Sequence, residues 1–400
     1  MTELPKGWEV QSLSSLVENP KNDIVDGPFG SNLKRSDFNT SGVPVLKIQN
    51  IKPNEIQIKK MDYVSPLKAA SLGRHNFVSG DVIMTKLGAP LGVSAIVGDD
   101  LPQGVIVADL VRIRPGKVNT KFLCYQLNSP LISKFINESQ KGTTRPRVNL
   151  QIVRNLPIAV PPIEEQNRIV ETLDDYLSKL DKVLAEIKAA TLQTATFRRS
   201  LLEDALFGDS SLPWTTLVDH IQTRKNKGIP SQEPIAKYLG LEHVESHGGR
   251  VLSFDSAGKY KSASPIVEQG DLLYGRLRPY LNKVVLAPER LYVSGEFIVM
   301  MPSATLDSLF LKHLLMSPRF LAFTALLDTG DRPRVSWEKI ANFEFQLPEL
   351  ALQKQIVERI ESSLVVAGSL HADLEQLGSQ IATLRRALLQ SAFSGNMRNG

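Results

Sequence analysis

The 400-residue chain predicts an α+β protein: two mixed, strand-rich domains separated by two long helices that pair as an antiparallel coiled coil, with pseudo-twofold symmetry. Three observations carry that expectation. Residues 143–208 lie over residues 330–395 at a constant shift of 187 positions, with 21 identities and no gap. Within each copy an apolar stripe recurs at alternating spacings of four and three, the spacing of a coiled-coil seam. Outside the copies, alternating apolar segments lie between Gly, Pro and Asn turns, as short strands do. A period near 187 is far longer than the roughly 20 to 50 residues of a solenoid repeat, so whole domains are duplicated.

The first domain is expected over residues 1–160, with candidate strands at 43–51, 81–87 and 105–113. The Gly-rich run 26–35 ends in Lys34 and Arg35. It lacks the Gly-Lys-Ser/Thr ending of a nucleotide-binding loop and reads instead as a loop facing a polyanion. Lys86 closes the second candidate strand. The basic turn 141–147 sets Thr143, Thr144, Arg145 and Arg147 around Pro146, combining backbone donors with guanidinium forks suited to phosphates and guanine edges.

The first long helix is expected over 161–208. Pro161-Pro162 halts the preceding strand, Glu164 and Glu165 suit the positive helix end, and Gly208 closes it. Its seam reads Ile169, Leu173, Tyr176, Leu180, Val183, Ile187, Ala190, Thr194, Phe197 and Leu201. Val170, Leu177 and Leu184 form an adjoining flank, wider than a two-stranded seam needs; either another protein packs there or the helix bends onto its own domain.

The second domain is expected over 209–347, with strands at 271–277 and 292–300. It opens on the basic run Arg224, Lys225 and Lys227, and Arg276, Arg278 and Tyr280, with Lys283 nearby, are expected along one strand edge that Pro279 must end. The basic turn recurs with Arg332 and Arg334 around Pro333. The second long helix, 348–400, repeats the seam through Ile356, Ile360, Ala367, Leu370, Leu374, Leu377, Ile381, Leu384 and Leu388, with Gly395 at its close. About 43 residues at about 1.5 Å each give a rod on the order of 60 Å.

Composition narrows the function classes. No apolar run reaches the roughly 18 residues of a membrane span, the amino terminus has no hydrophobic signal core, and the single cysteine, Cys124, has no partner for a disulfide, which together read as cytoplasmic. Net charge is +5, yet residues 1–150 hold 19 Lys and Arg against 13 Asp and Glu, while 163–207 hold 6 against 9. That distribution favours a polyanion partner for the globular parts. His243 and His247 beside Glu242 and Glu245 do not follow metal-protease order, so no metal site is expected, and no methyltransferase, nucleotide or serine-nucleophile motif is found.

The residues together resemble a family. Gly-Thr-Thr-Arg-Pro-Arg-Val (142–148) and Gly-Asp-Arg-Pro-Arg-Val (330–335) close the two domains, and Pro-Pro-Ile-Glu-Glu-Gln-Asn-Arg-Ile-Val (161–170) and Pro-Glu-Leu-Ala-Leu-Gln-Lys-Gln-Ile-Val (348–357) open the long helices. With Gly-Pro-Phe-Gly-Ser-Asn-Leu-Lys (27–34), these are similar to the specificity subunit of type I restriction-modification systems. That resemblance implies a non-catalytic reader of double-stranded DNA, each domain a target recognition domain for half of a split site and the helices a ruler for the unread spacer. It further implies two adenine-N6 methyltransferase subunits docked on the helices and restriction subunits beyond them. S-adenosylmethionine, ATP and Mg would then sit on those partners and no cofactor on this chain. The second helix opens on Pro348-Glu349, with Leu352 in place of Glu165, a departure that bears on the symmetry of the docking contacts. A coiled-coil adaptor with protein-binding end domains is the competing reading.

Overall fold

The computed structural model describes residues 5–101, 103–140, 146–327 and 330–394. It divides into two compact units, Met1–Glu186 with Leu377–Gly400, and Ile187–Gln376. Each unit therefore joins one strand-rich domain to the start of one long helix and the end of the other. The helices run without a break over Ile163–Phe207 and Leu350–Phe393.

In the first unit one four-stranded sheet is ordered Ile24–Asp26, Leu110–Ile113, Val82–Thr85, Ser94–Ile96, all antiparallel. A second is ordered Asp62–Val64, Val43–Leu46, Gln103–Ile106, Asn76–Val78, its central pair parallel. The second unit repeats both topologies. Ile221–Thr223, Phe297–Pro302, Leu272–Gly275 and Val284–Leu286 form the first, and Asp255–Ser256, Lys237–Leu239, Leu291–Val293 and Ser264–Val267 the other, with Lys227–Gly228 added at its edge. The expected single strands 105–113 and 292–300 are each two strands that feed different sheets. The break falls at residues 107–109 and 294–296, where the carbonyls of Asp109 and Glu296 turn to accept from the backbone N–H of Lys86 and Arg276, both at 2.9 Å.

Each domain is bolted to a long helix by the same residue. Gln166 is buried and accepts from the backbone N–H of Asn119 at 2.9 Å while donating to the Pro161 carbonyl at 2.9 Å. Gln353, also buried, accepts from the Asp307 N–H at 2.8 Å and donates to the carbonyls of Thr305 and Pro348. Asn119 and Asp307 are the N-caps of Thr120–Leu127 and Ser308–Met316, so each glutamine grips the start of a domain helix. A second tie follows along those helices: the Tyr125 hydroxyl donates to Asp174, and His313 Nε2 lies 2.7 Å from Glu361, whose repeat equivalent is Asp174.

The helices pack on each other within each unit. In the first, Ile169, Val170, Leu173 and Leu177 meet Leu389, Ala392 and Phe393, and Asp181 pairs with Arg385 at 2.7 Å, so the segments run antiparallel. In the second, Leu202 and Leu206 share a core with Val357 and Ile360, and Asp204 pairs with Arg359 at 3.0 Å. The seam differs from expectation in register. Leu173, Leu180, Ile187, Leu201, Ile360, Leu374, Ile381 and Leu388 are buried or half-buried, but they alternate with Val170, Leu177, Leu184, Val357 and Leu364. Tyr176, Val183, Phe197, Leu370, Leu377 and Leu384, one residue earlier, are exposed. The half-buried positions of the second helix include Gly378 and Arg385, so apolarity alone pointed to the neighbouring flank.

Candidate nucleic-acid interface

In the first unit the loop after Val82–Thr85 is stitched to the basic turn. Val148 N–H donates to the Lys86 carbonyl at 3.0 Å, Gly88 N–H to Pro146 at 3.0 Å, and Leu87 bridges Arg147. The Lys86 ammonium sits 2.6 Å from the Asp26 carboxylate, and the exposed Phe29 ring lies 5.1 Å from it. Lys86, Arg147 and the start of the Gly-rich loop are thus one surface, with Arg147 exposed. Lys34 and Arg35 continue that loop, also exposed, around a 3-10 turn that Asp37 closes by accepting from the Lys34 N–H at 2.7 Å. Thr143, Thr144 and Arg145 lie outside the described residues.

The loop's stem is held by cationic donors. Arg112 is buried and its guanidinium donates to the carbonyls of Asn22 and Asn76; Arg154 donates to that of Ile24 at 3.0 Å. Burial pushes the Arg112 pKa below its ordinary value.

The second unit has the same stitching with different side chains. Val335 N–H donates to the Arg276 carbonyl at 3.0 Å, Arg278 N–H to Pro333 at 2.7 Å, and Leu277 bridges Arg334. The expected strand edge through Tyr280 is a turn instead. The strand ends at Gly275, Arg278 is left-handed (φ 52°), Pro279–Leu281 form a 3-10 turn, and Asn282 is left-handed again (φ 45°). The first domain has Gly88 and Gly92 at the corresponding places, where positive φ carries no Cβ penalty. An arginine held there costs on the order of 1 to 2 kcal/mol, and such strain concentrates at functional positions. Arg278 is exposed and makes no ion pair among the described residues; Tyr280 is half exposed.

The remaining candidates separate. One Glu296 carboxylate takes Arg334 at 2.6 Å and faces Arg276 Nε at 3.6 Å. Glu338 is held below the usual carboxylate range first by a hydrogen bond from Ser336 and also by the charges of Arg276 and Lys225, and Lys225 is exposed. Arg224 does not reach outward: it makes a bidentate pair with Asp271 at 2.6 and 2.9 Å, which raises its pKa. Lys283 donates to the Leu241 carbonyl at 2.6 Å, and burial lowers its pKa. Lys227 and Arg332 are exposed. Sequence reasoning missed Asp26 and Glu296, the carboxylates that hold the cations, since nothing in their spacing marks them.

Among the described residues no cluster of His, Cys, Asp and Glu could hold a metal ion, and the His243 ring is engaged through Nδ1 with the Gly240 N–H at 3.0 Å. Cys124 is buried, which pushes its thiol up to about 12. No helix among the described residues is long and apolar enough to cross a membrane.

Two matched cationic loops carrying exposed aromatic rings suit a polyanion with stacked bases. The comparisons agree. A family model described as type I restriction modification DNA specificity domain matches residues 5–190. The EcoDI specificity subunit of a type I restriction enzyme from Escherichia coli is 21% identical over 322 residues, covering 71% of this chain and 72% of that protein. The EcoKI specificity subunit from the same species is 20% identical over 435 residues, covering 98% and 90%. Among solved structures, a chain described under the complex assembly and conformational transition of the type I R-M system superposes with a TM-score of 0.77 at 18% identity, covering 99% and 100%. The HsdS subunit from Thermoanaerobacter tengcongensis superposes at 0.54 with 16% identity, covering 99% and 98%. These two likenesses speak to the fold. Residues 5–190 thus match the type I restriction-modification DNA specificity domain, and the chain as a whole is similar to the specificity subunits of such systems.

Proposed function

We propose that the chain is the non-catalytic, DNA-reading subunit of a type I restriction-modification complex, working in the cytoplasm. Each strand-rich domain, 1–160 and 209–347, reads one half of a bipartite duplex target, and the helices at 161–208 and 348–400 set the unread spacer. The observation that carries this reading is the paired stitching of Lys86–Gly88 to Pro146–Val148 and of Arg276–Arg278 to Pro333–Val335, which puts an equivalent cationic loop on each domain. The side chains on those loops differ, so the half-sites differ. Lys86, Arg147, Lys34 and Arg35 serve one half; Arg276, Arg278, Tyr280, Arg332 and Arg334 serve the other.

The apolar flank Tyr176, Val183, Phe197, Leu370, Leu377 and Leu384 stays exposed along the helices and suits docking of two adenine-N6 methyltransferase subunits. Those subunits would bring S-adenosylmethionine, and restriction subunits would bring ATP and Mg. An adaptor that bound only proteins would need neither the duplicated cationic loops nor a left-handed arginine. The deciding experiment is methylome sequencing of a host that carries this chain with its methyltransferase. A split, asymmetric adenine-methylated motif is expected, and a methylome unchanged by the chain refutes the reading.

A further inference from the structure

We infer that Glu296 is a positioning residue for base discrimination by the second domain: its carboxylate fixes the direction of the Arg276 and Arg334 guanidinium groups without itself touching DNA. The inference rests on the function proposed above and goes beyond it, because it places specificity in an acid that a polyanion would repel.

The geometry supplies the reason. One carboxylate oxygen of Glu296 takes Arg334 Nη2 at 2.6 Å; the other faces Arg276 Nε at 3.6 Å, a charge contact rather than a hydrogen bond, between two buried atoms that have no hydrogen-bond partner among the described residues. Facing Arg276 through Nε leaves its Nη1/Nη2 edge for an outside acceptor, the fork that matches two acceptors on a guanine edge. The three residues are also tied through their backbones: Arg276 N–H donates to the Glu296 carbonyl, the Arg276 carbonyl accepts from Val335, and Leu277 bridges Arg334. The offset between carboxylate and guanidiniums is therefore set by the sheet.

Stability does not explain the acid. The Arg276, Arg334 and Glu296 side chains are 34%, 49% and 28% exposed, and pairs at such exposure contribute little to folding. Affinity does not explain it either, since a carboxylate among phosphate-facing cations weakens binding to any duplex. Direction is what remains. The first domain makes the same point by another route. The backbone counterpart of Glu296 is Asp109, whose carbonyl accepts from Lys86 N–H, yet the acid that holds Lys86 comes from a different strand, as Asp26. Two domains with little sequence in common thus keep a cation–carboxylate pair at one place in the fold while changing which strand delivers the acid.

The test compares Glu296→Gln and Glu296→Asp with wild type in the full chain assembled with its methyltransferase. Genome-wide adenine methylation reads discrimination, and titration with random-sequence duplex reads general affinity. Glu296→Gln is expected to bind random duplex about two- to fivefold more tightly, having lost one negative charge. It should also lose about tenfold in discrimination at one half-site only, with Glu296→Asp recovering part of it. Unchanged discrimination, equal loss at both half-sites, or an unfolding midpoint well below wild type in Glu296→Gln overturns the inference. A wild-type assembly with no motif at all sinks the proposed function as well, whereas a wild-type motif that the variants leave intact sinks this inference alone.

Discussion

Gln166 and Gln353 are buried amides whose hydrogen bonds all go to main-chain partners, so truncating either strands N–H and carbonyl groups away from water. Gln353→Ala is expected to cost about 1 to 3 kcal/mol, read as a lowered denaturant midpoint with the slope unchanged. His313 answers to pH. Its Nε2–H donates to Glu361, while Nδ1 is buried with no partner among the described residues, so a second ring proton would find no acceptor there. Burial pushes its pKa below 6.5, with Lys312 and Arg198 acting the same way and Glu361 opposing. The unfolded chain takes up that proton and the folded chain does not, so stability falls as pH drops through about 6.5. His313→Gln should flatten thermal unfolding curves compared across that range; parallel curves for variant and wild type would discount the role. Arg278 carries the opposite trade. Arg278→Gly relieves a left-handed backbone and is expected to gain up to about 1 kcal/mol in unfolding free energy while relaxing one half-site. None of these three roles was legible in the sequence. The glutamines were visible as repeated letters, but their partners in the domains lie 46 to 48 residues away, and a positive φ on arginine has no sequence signature.

Among the helices, existence, pairing and one row of the inward face, from Leu173 to Leu201 and from Ile360 to Leu388, were legible; the alternate row was not. A stripe of period 3.5 is read by counting apolar side chains, and both Leu370 and Leu364 satisfy the count for neighbouring registers. The domain core decides between them, because Val170, Leu177, Val357 and Leu364 are drawn toward their own domain. The registers make a testable contrast. Ile360→Ala, in the buried stripe, should cost about 2 to 5 kcal/mol. Leu377→Ala, on the exposed flank, should leave unfolding within about 0.5 kcal/mol of wild type and instead weaken co-purification with the methyltransferase. Strands were legible as segments but not as sheets. The continuous apolar runs 105–113 and 292–300 hid a corner, since a chain that leaves one sheet for another keeps its hydrophobic content while its backbone turns.

For the chain taken as one piece, duplication at a shift of 187 positions was the most readable feature, and it carried the α+β class, the two strand-rich domains and the two helices. Inserting one heptad into both helices adds about 10 Å of rise, which should lengthen the preferred spacer by about three base pairs and leave both half-sites as they were. A methylome with the spacer unmoved would reject the ruler. What stayed hidden at this scale was how copies so alike in their helices could hold domains so unlike. The grip of Gln166 and Gln353 supplies an answer. A clasp that holds only main-chain atoms is indifferent to the letters threaded through it, so the outward face of either domain can be rewritten one mutation at a time without disturbing that grip.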